Sequence, residues 1–126
     1  IAEDESPEIV VRLTSDSAER GTVELVGALV GGRNPRVVGI GGFRLEFWPE
    51  GELLVVESRD VPGVVGRLGS LLGGAGVNIG DIHLARRVAT GETLAVLRVD
   101  EPVGPELLER LRAASDVERV DAVSLG

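Results

Sequence analysis

The spacing of hydrophobic residues changes character along this chain, and the change divides it near residue 50. Upstream, Ile9–Leu13, Thr22–Val30, Arg36–Ile40 and Phe43–Trp48 are short runs rich in apolar and β-branched residues. None carries a helical period, so they read as strands. Ser15-Asp16-Ser17, the stretch 31–35 and Gly41-Gly42 separate them as turns. After the turn-forming Pro49-Glu50-Gly51 the pattern alternates. Leu53–Val56 is a continuous apolar run, as in a strand buried on both faces. Val64, Leu68, Leu71, Leu72 and Ala75 follow helical spacing, and Gly73-Gly74 with Gly76 supply a stop. Asn78–Arg87 and Thr93–Val99 read as a hairpin about the turn 89–92. Pro105 opens a second helix with Leu107, Leu108, Leu111 and Ala114 on one face, and Val117–Leu125 reads as a closing strand.

This order, β-α-β-β-α-β within the last 75 or so residues, predicts a split βαβ, or ferredoxin-like, α+β domain over residues 51–126. Right-handed crossovers would put both helices on one face of a four-stranded antiparallel sheet. Residues 1–50 are expected to form part of a mostly β intervening domain, because hairpins alone leave an apolar face uncovered. Strand Asn78–Arg87 is expected at a sheet edge, where its open backbone groups invite the same strand of a second copy. A homodimer is the predicted outcome.

The chemistry concentrates at Asp60-Val61-Pro62-Gly63, between the apolar run and the first helix. A strand turning through Pro-Gly into a helix aims free N–H groups and the positive helix end at whatever lies above, which favours a carboxylate. Asp60 offers a partner for an ammonium group, and Gly63 permits close approach of the backbone. Asn78 is expected to return to the same mouth with an amide that both donates and accepts. Ser58 and Arg59 lie on the same approach. Together these groups suit a free amino acid. Gly66, Gly69 and Gly73 form a stripe on the first helix that another backbone could pack against, or that codon bias explains. His83 reads as a partly exposed strand residue. Arg33, Arg36 and Arg44 are either solvated or an anion site.

Composition narrows the alternatives. The 126 residues carry 13 Arg, no Lys and 21 acidic residues, a net charge of −8. That charge repels phosphate backbones and anionic lipid surfaces, so neither nucleic acid nor membrane is expected as a partner. No apolar run approaches the roughly 20 residues of a membrane-spanning helix. With no Cys, no Tyr and a single His, thiolate metal sites and the common nucleophilic constellations lack parts. No catalytic or metal-binding residue is assigned, and no cofactor is expected for these residues. The absence of Cys fits a reducing cytoplasm. The chain opens on Ile1 and contains no Met, so it reads as a piece of a longer product.

Several segments resemble an ACT domain: Glu52–Val56, Asp60–Gly66, Leu71–Ile79 and Gly91–Leu97. More narrowly, they are similar to the C-terminal regulatory end of D-3-phosphoglycerate dehydrogenases. Gly27-Ala28-Leu29, Arg36-Val37-Val38 and Ile40–Phe43 extend the likeness into the later part of the intervening, allosteric-substrate-binding domain. The resemblance implies an effector site for L-serine, or another free amino acid, at a dimer interface. It implies Asp60, Val61, Pro62, Gly63, Asn78 and Ser58 as effector-binding residues, with Asn78 reaching across from the second subunit. Ser58 departs from a histidine found there in some members. Catalytic domains using NAD would lie elsewhere in the parent chain. Two alternatives stay open: the β part of an iron–sulfur L-serine dehydratase, and a dimerisation module that binds nothing.

Overall fold

Every strand pairing among the described residues is antiparallel. The computed structural model describes residues 8–14, 22–31 and 33–126; the turn Ser15-Asp16-Ser17 and Gly32 lie outside them. The chain divides into two compact units between Pro49 and Glu50.

The first unit is a meander of β1 (Glu8–Thr14), β2 (Thr22–Val30), β3 (Asn34–Ile40) and β4 (Phe43–Phe47), in that order across the sheet. Among the residues whose burial is described, Val23, Leu25, Ala28, Val37, Ile40, Phe43 and Phe47 are buried in this unit. Trp48 falls just beyond β4 rather than inside it, and the Arg36 guanidinium stacks 4.8 Å above its ring. Arg36 also donates to the Pro35 carbonyl at 3.0 Å and lies 3.8 Å from Glu46. Arg44 stands opposite Gly39, three residues along β3 from Arg36. Arg36 is thus engaged within its own sheet.

The second unit contains β5 (Glu52–Arg59), α1 (Val64–Gly74), β6 (Ile79–Arg87), β7 (Glu92–Val99), α2 (Pro105–Arg112) and β8 (Val117–Ser124). Its sheet order is β6-β7-β5-β8, the ferredoxin-like arrangement with β6 at one edge. Leu54, Val56, Ala95, Leu97, Val99 and Val120 present one face of the sheet to Val64, Leu68 and Leu72 of α1 and to Leu108 and Leu111 of α2. Both helices therefore cover the same side. The central strand is buried from Leu53 to Val56 without interruption, as its continuous apolar run requires.

Helix α1 holds together against its own composition. Four of its eleven residues are glycine, each costing about 1 kcal/mol relative to alanine. Leu68 and Leu72 are 0% exposed, so burial of that stripe, rather than local propensity, sustains the helix. A Cβ added at Gly66, Gly69 or Gly73 would meet nothing within 4 Å, so among the described residues no backbone packs against that glycine stripe. Helix α2 follows the usual end rules, with Pro105 at its start, Glu106 in its first turn and Arg110 and Arg112 in its last. The Arg112 guanidinium also donates twice to the Val120 carbonyl, at 3.1 and 2.9 Å, fastening α2 to β8.

The two ends of this unit are stitched together. The Gly51 amide donates to the Gly126 carbonyl at 3.2 Å, and the Leu125 amide donates to the Gly51 carbonyl at 2.9 Å. Among the described residues no helix is long and apolar enough to cross a membrane.

Candidate functional site

Strand β5 delivers Ser58 to the helix-covered side of the sheet, where it is 3% exposed. The turn that follows is pinned by backbone bonds: Arg59 N–H to Asp116 O at 2.9 Å, Asp60 N–H to Gly91 O at 2.8 Å and Val61 N–H to Arg59 O at 2.9 Å. Gly63 then adopts φ +90°, which swings the chain into α1. The first helical bond runs from Arg67 N–H to Gly63 O at 3.0 Å. The amides of Val64, Val65 and Gly66 consequently have no acceptor inside the helix. No side chain caps this end, and no acidic residue occupies its first turn, so its partial positive charge is left uncompensated by the helix itself.

Those three residues form one wall of a cleft of about 180 Å³. The remaining lining includes Ser58, Asp60, Leu84, Arg86, Thr93 and Ala95. The volume is about six times the ~30 Å³ that a water molecule occupies in the liquid and falls below the ~300–1,000 Å³ of drug-sized pockets. That is the size range of a small metabolite rather than of a dinucleotide. At the mouth, Arg86 Nε lies 3.4 Å from Asp60 Oδ2. The Thr93 hydroxyl oxygen is buried with no hydrogen-bond partner among the described residues. An unpaired buried hydroxyl is costly, of order 1–3 kcal/mol. Behind the wall, Arg67 donates from Nη2 to Ser115 O at 3.2 Å and Asp116 Oδ2 at 3.3 Å, tying the first turn of α1 to the loop between α2 and β8.

Ser58, Asp60, Val61 and Gly63 all line this cleft. Pro62 is exposed and not among the lining residues; it shapes the turn. Asn78 does not return to the same mouth. The register places Arg59 and Arg87 opposite Glu92 at one end of the sheet, and Ile79 opposite Val99 at the other. Strands β5 and β6 each pair antiparallel with β7 and so run parallel, which obliges α1 to carry the chain back along the whole sheet. Eight residues at about 3.3 Å each separate the two loops by roughly 25 Å. At its own end, the Asn78 side-chain amide donates to Asp100 Oδ2 at 3.0 Å.

Arg86, Thr93 and Leu84 join the cleft without any motif in the sequence to mark them. In β6 and β7 the residue pairs Ile82–Leu97, Leu84–Ala95 and Arg86–Thr93 share the helix-covered face. On the opposite face, His83 Nε2 lies 3.5 Å from Asp81, which also accepts from Arg98 Nε at 3.2 Å. Among the described residues, no group of three or more His, Cys, Asp or Glu side chains is placed to hold a metal ion.

Glu57, on the side of β5 away from the helices, has its carboxyl pushed above the ordinary 4.5, first by burial and then by the Glu92 charge, with Arg119 and Arg87 opposing. A carboxyl whose folded value is raised favours the folded state when protonated. Its contribution is therefore present below 4.5 and lost as pH rises through the folded value. Glu57→Gln, which mimics the protonated form, is expected to raise Tm at pH 7 and to leave it unchanged below pH 4.5; thermal melts at the two pH values check this.

Residues 53–116, just over half of the chain, match the ACT domain family. This chain belongs to that family. The matched span of the ACT domain starts at the second residue of β5 and takes in the Asp60–Gly63 turn, both helices and the β6–β7 hairpin. Curated relatives extend the likeness upstream of the ACT domain. The D-3-phosphoglycerate dehydrogenase of Methanocaldococcus jannaschii is 28% identical over 115 residues, covering 91% of this chain and 22% of the relative. That of Bacillus subtilis is 29% identical over 117 residues, 93% of this chain and 22% of the relative. That of Mycobacterium tuberculosis (strain H37Rv) is 30% identical over 117 residues, 92% and 22%. The chain thus spans about a fifth of the length of these relatives.

Proposed function

We propose that this chain is the amino-acid-sensing part of a D-3-phosphoglycerate dehydrogenase, binding L-serine in the cleft under the start of α1. The observation that carries the reading is the uncapped helix start above a small cleft whose mouth holds a carboxylate, Asp60. Three free amides accommodate the effector's carboxylate and Asp60 its ammonium group, and Ser58 and Thr93 line the same cleft beside a small polar side chain. The dehydrogenase names of the relatives favour this parent enzyme over the serine dehydratase. NAD-dependent catalysis would belong to other domains of such an enzyme. The effector alters it only by binding two states of the whole protein unequally.

Asn78 enters this reading through a second copy. Edge strand β6 exposes Ile82 (39%) and Leu84 (56%) on the cleft side, an apolar seam suited to a twin. Antiparallel pairing of two β6 strands lays the start of one beside the end of the other, bringing the second copy's Asn78 towards Arg86 and Val88. With its amide nitrogen donating to Asp100, Asn78 has its carbonyl oxygen available for an ammonium group.

Titration calorimetry of the chain with L-serine, alongside sedimentation, tests both parts. Saturable heat from a dimer is expected, and Asn78→Ala is expected to weaken binding by about 1–3 kcal/mol. A folded dimer that gives no heat with any amino acid at millimolar ligand would leave only an assembly module, the reading that the exposed seam supports by itself.

A further inference from the structure

We infer that Arg86 is a second anchor for the effector's carboxylate, so that Asp60 and Arg86 together form a ready-made receptor for a zwitterion; this rests on the reading of the cleft as an amino-acid site. Arg86 lies across from Thr93 on the cleft side of β6, and its Nε is 3.4 Å from Asp60 Oδ2. The guanidinium half of the pair is open to solvent, with the Arg86 side chain 70% exposed and the Asp60 side chain 32% exposed. Ion pairs this exposed contribute little to folding. The two charges can therefore part readily when a ligand offers each a new partner.

An α-amino acid does so. Its ammonium group replaces the guanidinium at Asp60, and its carboxylate lies between the amides at the start of α1 and the released guanidinium, whose planar fork suits two oxygens. Arg86 also solves a problem that Asp60 creates. A lone carboxylate at the mouth would repel the incoming carboxylate, and the guanidinium cancels that repulsion. The cleft then selects ligands bearing both charges and disfavours simple amines and simple acids. A competing possibility has the opposite sign: if Arg86 only occupies Asp60, it blocks the ammonium group, and its removal should tighten binding.

Calorimetry on the whole chain separates these, using L-serine and L-serinamide, which keeps the ammonium group and hydroxyl but lacks the carboxylate. Arg86→Met is expected to weaken L-serine roughly 10- to 100-fold, the scale of a charged hydrogen bond, and L-serinamide far less. Arg86→Lys should fall between the variant and wild type, because it keeps the charge and loses the fork. Circular dichroism verifies folding, and Arg86→Gln replaces the Met variant if that aggregates. Unchanged or tighter L-serine binding to Arg86→Met, or equal losses for both ligands, would overturn the role of Arg86 and leave the cleft assignment standing. A folded wild-type chain that binds none of L-serine, glycine and L-alanine would overturn both.

Discussion

Leu68→Ala is expected to destabilise the ACT domain by about 2–5 kcal/mol, read from urea unfolding followed by circular dichroism. Leu68 is 0% exposed and sits on the α1 stripe with Val64 and Leu72, against Leu54 and Val56 of β5 and Ala95 and Leu97 of β7. Truncation removes apolar contact and leaves a hole that a close-packed core collapses into only partly. The glycine-rich composition of α1 enlarges the consequence. A helix with strong intrinsic propensity could persist with a cavity beneath it, whereas this one depends on its buried leucines. The start of α1 is also the cleft wall, so the amino-acid binding proposed for this cleft should weaken along with stability. A loss below about 1 kcal/mol would show that the helix is held by something other than this stripe.

Gly63→Val is expected to cost about 1–3 kcal/mol in stability and to weaken amino-acid binding by at least roughly tenfold, a change of about 1.4 kcal/mol. Two effects combine. The residue sits at φ +90°, a conformation that a β-branched side chain adopts only with strain. In addition, a Cβ there would lie 2.9 Å from Arg67 Nη1. The guanidinium is the far end of a long side chain and can yield, but yielding disturbs its bonds to Ser115 and Asp116. The conformational part therefore dominates stability, and the displaced helix start dominates binding. Calorimetry and thermal melts on the same preparation separate the two. Wild-type affinity in the Val variant would remove the helix start from the site.

Much of the architecture is legible in the residues because each element announces its period. The uninterrupted Leu53–Val56 run marks a central strand, the Val64, Leu68, Leu72 spacing marks a helix, and Pro105 marks a helix start. Asn78 lies away from the Asp60 turn for a topological reason: a helix that returns the chain to where its strand began delivers it to the far end from that strand's exit. Arg86 was hidden for a subtler one. The pairing of β6 with β7 slips between Ile79 and Asp81, so Gly80 shifts the alternation. Counting by twos from Ile79 puts Arg87 on the cleft side; the slip puts Arg86 there instead. One irregular residue thus decides which of two adjacent arginines meets Asp60, and local propensity does not reveal it.

The bonds between Gly51 and the final two residues, Leu125 and Gly126, have a practical corollary. Because the ACT fold is entered and left at nearly the same point, it is shaped like a detachable cassette. Splicing it into a surface loop of an unrelated host would require only short joints, and the host would see its sheet and helices as a self-contained appendage.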